Sequence, residues 1–180
     1  MLVDFVLSLA YIKQCMTLFD RFKQVKAFIF AVDGVCTDGG VWVGDGGRRC
    51  CRIHSRDYYA LRVAAANDYP IAIVGERQEI GVSDFMEEAG INDVFLNKDD
   101  KITVLRDWMA AKGLATEQVL YMGSDIPDLH SMEVAGFGAC PTDAVDEVKA
   151  AVAYISHCRG GAGAVRDVVE KVMKLQGTWR

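Results

Sequence analysis

The sequence has no excess of basic residues. Its 180 residues include 20 Lys and Arg against 25 Asp and Glu, which gives a net charge of -5 at pH 7. A surface that binds nucleic acid must neutralise phosphates with positive charge, so this composition argues against a nucleic-acid partner. The charge balance is typical of an acidic cytoplasmic protein, and we expect that location.

A signature of membrane insertion or secretion is also missing. The apolar N-terminal stretch, residues 1–11, is far shorter than the ~20 residues that a membrane-spanning helix needs, and it has neither a positively charged start nor a small-residue cleavage site. We therefore expect no membrane partner. Residues 1–22 are interpreted as an N-terminal helical extension, of which residues 1–15 are either an upstream translation start or an embellishment, and residues 23–180 as one domain.

Paired cysteine motifs are missing as well. The sequence has six cysteines, none in a Cys-x-x-Cys pair, and they are scattered through apolar surroundings. They are Cys15, Cys36, Cys50, Cys51, Cys140 and Cys158. We expect reduced thiols rather than disulfides or zinc ligands.

What the sequence does contain is a large supply of apolar side chains, 51% of residues, in short runs that alternate with helical patterns. The first run, residues 27–32, is followed by predicted strands at 70–74, 94–95, 119–122, 136–140 and 152–155. Helices are predicted at 57–67, 79–89, 100–111, 128–134, 144–151 and 164–175. Because this alternation requires parallel strands and right-handed crossovers, we predict an α/β fold of three αβα layers around a mainly parallel sheet.

A β-hairpin is predicted between the first strand and the first crossover helix. Val41–Val43 and Arg49–His54 have strand-like composition and flank the glycine-rich turn at residues 44–47. A lone two-stranded hairpin is marginal in water, and this one carries Trp42 and several other apolar side chains. The hairpin therefore needs a partner.

The residues that follow the first strand, Asp33-Gly34-Val35-Cys36-Thr37-Asp38-Gly39, resemble the first motif of the haloacid dehalogenase (HAD) superfamily. The form is that of small sugar-acid phosphatases acting on 3-deoxy-octulosonate 8-phosphate or nonulosonate 9-phosphates. The resemblance extends over residues 22–175. It implies a Rossmann-like fold without a large cap domain, an aspartyl-phosphate intermediate and Mg²⁺.

The resemblance places two of the four motifs on acidic loops. Asp33 falls on the acid/base and metal-binding position, but Ala31 occupies the position of the nucleophile and has no lone pair to attack phosphorus. Asp125 and Asp128 remain as metal-binding residues, whereas Ser124 replaces the usual acidic ligand. Because Mg²⁺ prefers carboxylate oxygens, we expect weak or absent binding here. An isolated Asp-Gly is more often a turn or cap, but Thr37-Asp38-Gly39 in register favours the family position for Asp33.

The other two motifs supply phosphate-binding groups. Gly75 lies where the family has Thr or Ser, so only its backbone amide remains to bind phosphate, and it is also an ordinary strand-to-helix turn residue. The segment Gly-Glu-Arg at 75–77 resembles the Ser-Glu-Arg of the phosphatase-like domain of animal sialic acid cytidylyltransferases. Lys101 matches the lysine of the family, with Lys98 as a competitor and a solvated lysine as the ordinary alternative.

Two further segments resemble substrate-binding features of the relatives. Arg56-Asp57 resembles Arg-Asp-Gly, with Tyr58 at the glycine, and Arg166 ends a segment that resembles Gly-Gly-Arg-Gly-Ala-x-Arg. Ala162 replaces the arginine that in the family reaches an adjoining subunit. Arg166 is equally well explained as a helix-surface residue. His54 and His157 are interpreted as ordinary polar residues without catalytic or metal-binding partners.

The substitutions at Ala31, Gly75, Ser124 and Ala162 fall in the site, while the scaffold is intact. We therefore predict a catalytically impaired pseudoenzyme that acts as a binding or assembly module in acidic-sugar metabolism, with an enzyme of a sugar-acid phosphate or nucleotide-sugar pathway as a candidate partner. The alternatives are an active or weak Mg²⁺-dependent phosphatase and a structural oligomer without a ligand. In the resembling phosphatases the hairpin meets its copies, so a homotetramer built through residues 41–54 is expected.

Overall fold

The computed structural model describes residues 16–47, 49–77, 80–98 and 100–179. The helices are α1 (Leu18–Gln24), α2 (Ser55–Ala66), α3 (Ile80–Glu88), α4 (Lys101–Ala111), α5 (Leu129–Ala135), α6 (Asp146–Ala151) and α7 (Ala164–Gln176). The strands are β1 (Ala27–Ala31), β2 (Trp42–Val43), β3 (Arg49–Cys50), β4 (Ile71–Gly75), β5 (Asp93–Leu96), β6 (Val119–Met122), β7 (Gly136–Cys140) and β8 (Tyr154–Ile155).

Among the described residues, six strands form one parallel sheet in the order β5-β4-β1-β6-β7-β8. Strand β1 is central and lies between β4 and β6, with Phe28 opposite Ile71 on one side and Leu120 on the other. The crossover helices cover both faces. The predicted αβα fold with a parallel sheet is confirmed, and the carboxyl ends of β1, β4 and β6 meet at one edge.

Alternation along β1 divides the core into two layers. Phe28 and Phe30 belong to the layer that includes Leu61 of α2, whereas Ile29 belongs to the layer that includes Leu105 of α4. All five of these side chains are fully buried. Burying a large apolar side chain contributes about 1.5–3 kcal/mol, so the two layers fix β1 firmly between its helices.

The hairpin is present but shorter than predicted. Among the described residues of the hairpin, Trp42–Val43 and Arg49–Cys50 pair as antiparallel strands, and Ile53 instead bridges back to Thr37 in the loop after β1. The predicted extension of the second strand to His54 is therefore wrong: this residue caps α2, its Nδ1 accepting from the amide of Arg56 at 3.2 Å. The side chains of Trp42 and Val43 are each 74% exposed.

Helix α1 covers one end of the core. Its N-cap Thr17 and Asp20 form reciprocal hydrogen bonds, and Phe22 is buried against the rings of Phe137 and Tyr154. Part of the predicted N-terminal extension thus packs on the domain, while residues 1–15 lie outside the described residues. In the part of the chain that the structure describes, no helix is long and apolar enough to cross a membrane.

A buried carboxylate joins α2 to the start of α7. Asp57 is fully buried, and its two oxygens accept the amides of Gly163 at 2.9 Å and Arg166 at 2.8 Å. Burial raises the pKa of Asp57, and the two amide hydrogen bonds oppose that rise. The carboxylate thereby caps α7 across more than a hundred residues of sequence.

Replacing Asp57 by Ala should destabilise the fold, because it leaves two amides at the start of α7 without their acceptor. A loss of about 2–4 kcal/mol in the free energy of unfolding is expected, measured by urea denaturation. Asp107→Ala, at an exposed position of α4, is the matched control and should change stability by less than about 0.5 kcal/mol. Equal stability of the two variants would contradict the capping role.

Candidate functional site

A cavity of about 280 Å³ opens at the carboxyl ends of β1, β4 and β6. This is the edge at which open parallel α/β sheets bind ligands. The cavity is lined by Ala31, Val32, Asp33, Val74, Gly75, Glu76, Arg77, Lys101, Asp125, Pro127 and Asp128. The structure therefore brings together the predicted site residues Asp33, Gly75, Lys101, Asp125 and Asp128.

The loop after β1 is held by close backbone packing. Gly34 has a φ of +71°, and Thr37 is fully buried and donates from its hydroxyl to the carbonyl of Val32 at 3.1 Å. The amide of Gly161 donates to the carbonyl of Val35 at 2.9 Å. A Cβ on Gly160 would lie 1.9 Å from the carbonyl oxygen of Gly34, so the two loops approach too closely for any larger residue. The glycine pair thus has a packing role at the site.

Ala31 ends β1 beside the cavity and contributes a methyl group to its lining. It is 6% exposed and packs with the apolar layer under α2 and α7. At this position the cavity offers no side-chain oxygen, either as a nucleophile or as a metal ligand.

Asp33 is engaged in an ion pair. Nη2 of Arg77, in the loop after β4, donates to Oδ1 of Asp33 at 2.7 Å, and the two side chains are 39% and 37% exposed. A proton donor or acceptor needs an accessible oxygen, and here one carboxylate oxygen is already bound by a guanidinium.

Lys101 begins α4 and reaches into the same cavity. Its Nζ donates to Oε1 of Glu76 at 3.0 Å, and its side chain is 17% exposed. Lys98, the competing candidate, is exposed and does not line the cavity. Of the two lysines, the structure places Lys101 at the site.

Asp128 anchors the loop after β6. Its oxygens accept the hydroxyl of Tyr121 at 2.8 Å and the amides of Ser124 at 2.8 Å and Asp125 at 3.3 Å. Burial raises its pKa, while these donors and the nearby charge of Lys101 oppose the rise. Asp128 is therefore committed to holding the loop.

Several oxygens of the cavity that could bind a magnesium ion are engaged in hydrogen bonds within the chain. The Ser124 hydroxyl donates to the backbone carbonyl of Asp33 at 3.0 Å, so these two oxygens are hydrogen-bonded to each other. Asp125 caps the following turn through Oδ1 and the amide of Ile126 at 2.7 Å. Over the described ranges, no group of three or more His, Cys, Asp or Glu side chains is placed to hold a metal. Mg²⁺ takes about six oxygen ligands, several of them water, so each protein oxygen that is engaged elsewhere weakens the site.

Arg56 and Arg166 do not line this cavity. They lie instead beside another cavity of about 530 Å³, together with His157 and Lys171. The guanidinium of Arg166 lies over the rings of Tyr59 at 5.7 Å and Trp179 at 5.4 Å, and its Nε donates to Glu170 at 2.8 Å. Within one chain, these arginines are thus separate from the other predicted site residues.

The ion-pair partners of Asp33 and Lys101 were not predicted from the sequence. Sequence reasoning singled out Gly75 but gave no role to the next two residues, Glu76 and Arg77. The resemblance of the Gly-Glu-Arg segment to Ser-Glu-Arg was the signal available. It also missed that His157 lies 3.4 Å from the carboxylate of Asp167, Nδ1 to Oδ1.

A parallel αβα sheet with acidic loops at its carboxyl edge and a small hairpin after its first strand is the architecture expected of the HAD superfamily. The chain matches no protein-family profile. It is 30% identical over 155 residues to the 3-deoxy-D-manno-octulosonate 8-phosphate phosphatase KdsC of Escherichia coli K12. The aligned region covers 86% of this chain and 82% of that protein.

Solved structures of similar phosphatases support the same relationship. The 3-deoxy-D-manno-octulosonate 8-phosphate phosphatase of Yersinia pestis superimposes with a TM-score of 0.86 at 27% identity, over 89% of this chain and 87% of the other. The phosphatase of Moraxella catarrhalis, in complex with a magnesium ion, a phosphate ion and a KDO molecule, gives a TM-score of 0.83 at 30% identity, over 88% and 91%. The chain belongs to the family of KDO 8-phosphate phosphatase-like proteins of the HAD superfamily.

Replacing Tyr121 by Phe should destabilise the loop after β6. The change removes a buried donor from Asp128 and should cost about 1–2 kcal/mol in the free energy of unfolding at neutral pH. The lost bond also raises the pKa of Asp128 further. A raised folded-state pKa gives stability that is present at low pH and lost as the pH rises through that pKa, so the loss should be larger at neutral than at acid pH.

Urea denaturation at both pH values measures this loss. Tyr59→Phe is the control, since the Tyr59 ring is 47% exposed and no hydrogen bond of its hydroxyl is found among the described residues. A loss that does not depend on pH would contradict the role assigned to Asp128.

Proposed function

We propose that this protein is a catalytically impaired member of its family, a pseudophosphatase that acts in the cytoplasm as a binding or assembly module of acidic-sugar metabolism. The observation that carries the proposal is Ala31, which puts a methyl group where the family has the nucleophilic carboxylate. In a well-studied serine protease, removal of the covalent nucleophile lowers turnover on the order of a million-fold.

The charges around Ala31 support the same conclusion. Asp33 is bound by Arg77, and Asp128 accepts hydrogen bonds from the Tyr121 hydroxyl of β6 and from two amides of its own loop. Neither carboxylate is free to replace the missing nucleophile without breaking these contacts. We infer that Mg²⁺ binds weakly or not at all, since Ala31 and Ser124 remove two anionic ligands.

The scaffold around the site supports a retained binding role. The sheet edge, the glycine packing at Gly160 and Gly161 and the lysine at residue 101 all remain. The related phosphatase of Moraxella catarrhalis holds KDO, so a sugar acid is the ligand class we propose for this cavity. The alternative of a weak phosphatase is favoured by the presence of Asp33 and Lys101 in one cavity.

The first experiment compares the protein with a repaired variant. With Mg²⁺, the unmodified chain should hydrolyse neither 3-deoxy-D-manno-octulosonate 8-phosphate, a nonulosonate 9-phosphate nor an aryl phosphate above a blank without enzyme. Ala31→Asp with Ser124→Asp should restore Mg²⁺ binding by calorimetry. Addition of Gly75→Thr should restore some activity, provided that the Leu96 side chain, 2.8 Å from the new Cβ, moves aside.

The matched control is Ala31→Asn with Ser124→Asp, which has the same shape but one carboxylate fewer and should bind Mg²⁺ less well. Family-like turnover by the unmodified chain that is lost on metal chelation would overturn the proposal. Failure of the double variant to bind Mg²⁺ would show that the positions do not correspond as assigned.

We further propose that the protein assembles as a homotetramer through residues 41–54. Trp42 and Val43 are each 74% exposed on a two-residue strand, and the hairpin is tied to the loop after β1 by Arg52, whose guanidinium lies 3.1 Å from Asp38 Oδ2. Packing against copies would bury this apolar surface and cover the strand edges. This role does not require catalysis, so a purely structural oligomer is the other alternative.

Light scattering should report about four times the chain mass of 19.8 kDa. Trp42→Asp should shift the protein to smaller species, because a carboxylate on the hairpin cannot be buried without a partner charge. Phe19→Asp, at a 59% exposed aromatic of α1, is the control and should leave the assembly unchanged. A monodisperse monomer for the unmodified chain would refute the assembly proposal.

A further inference from the structure

The cavity contains two internal ion pairs, each of which joins the loop after β4 to another element. Arg77 binds Asp33 at 2.7 Å, and Lys101 binds Glu76 at 3.0 Å. In both pairs one partner follows β4, and the other is a residue that the family resemblance assigns to catalysis. The charged groups of the cavity are therefore satisfied within the chain.

The Glu76 carboxylate is bound to Lys101, the cation that would otherwise meet an incoming anion. Lys101 is largely enclosed, at 17% exposure, whereas Glu76 is 58% exposed at the mouth of the cavity. The Glu76 carboxylate thus lies between the ammonium group of Lys101 and solvent.

Acidic side chains predominate among the other charges that line the cavity. Asp125 and Asp128 line the same cavity, and with Asp33 and Glu76 they outnumber the two basic residues. An entering phosphate would have to displace the Glu76 carboxylate from Lys101 and would meet the other carboxylates as well. Both effects disfavour a dianion more than a neutral or singly charged ligand.

We propose that Glu76 is a built-in anion: its carboxylate takes the place of a phosphoryl group beside Lys101 and thereby excludes phosphate esters from the cavity. Glu76 is thus a residue that determines specificity, in favour of ligands without a phosphate. This inference rests on the proposed binding role of the cavity. It concerns the affinity for phosphate and does not depend on whether turnover occurs.

The test measures binding of inorganic phosphate, without metal and at constant ionic strength, by calorimetry and by the shift of the melting temperature. Glu76→Gln keeps the size of the side chain and removes its charge. It should bind phosphate about tenfold more tightly than the unmodified chain, since one repulsive charge next to the anion is lost and Lys101 is released.

Two controls separate the local effect from a general loss of negative charge. Glu133→Gln removes the same charge from an exposed carboxylate of α5, whose partner His130 is equally exposed, and should leave the phosphate affinity unchanged. The double variant Glu76→Gln with Lys101→Gln should lose the gain. An unchanged or unmeasurable affinity in Glu76→Gln, or a gain that survives loss of Lys101, would overturn the inference.

The role of Glu76 and the pseudophosphatase proposal would be overturned by different results. Hydrolysis by the unmodified chain would overturn the pseudophosphatase proposal whatever the phosphate affinity of Glu76→Gln. An inactive chain whose Glu76→Gln variant gains no affinity would keep that proposal and reject the role of Glu76.

Discussion

The parallel pairing of β1 with both β4 and β6 is the constraint on which the rest of the site depends. Because all three strands run in the same direction, the loops that follow them end at one edge of the sheet. Those loops then bind one another: Ser124 donates to the carbonyl of Asp33, and Arg77 donates to its carboxylate. The cavity is the space that these contacts enclose.

Packing behind the loops explains why the architecture does not require a carboxylate at residue 31. Gly160 and Gly161 approach the backbone of the loop after β1, and the carboxylate of Asp57 holds the start of α7 that follows them. None of these contacts involves Ala31 or a metal ion. The fold therefore depends on interactions that need neither a carboxylate at residue 31 nor a metal ion.

Much of the fold could be predicted because its signals are local. Apolar runs and helical periodicity located the strands and helices, and motif order located Asp33, Lys101, Asp125 and Asp128 at one cavity. The pairing of Arg77 with Asp33 could not be predicted in this way, because it joins loops that are 44 residues apart.

The hairpin and the two arginines show two other limits of sequence reasoning. The second hairpin strand was overextended because strand propensity does not register the bridge from Ile53 to Thr37 or the capping role of His54. Arg56 and Arg166 were assigned by resemblance alone. In a single chain they lie beside another cavity, where Arg166 stacks on Tyr59 and Trp179.

The most direct test of the central claim is a search for a phosphorylated enzyme. The protein is mixed with 3-deoxy-D-manno-octulosonate 8-phosphate and Mg²⁺, quenched in acid, digested and examined by mass spectrometry for phospho-aspartate. The repaired variant with Asp at residue 31 serves as the positive control. No phosphorylated peptide is expected from the unmodified chain, and phosphate on Asp33 or on any other carboxylate of the cavity would contradict the assignment as a pseudophosphatase.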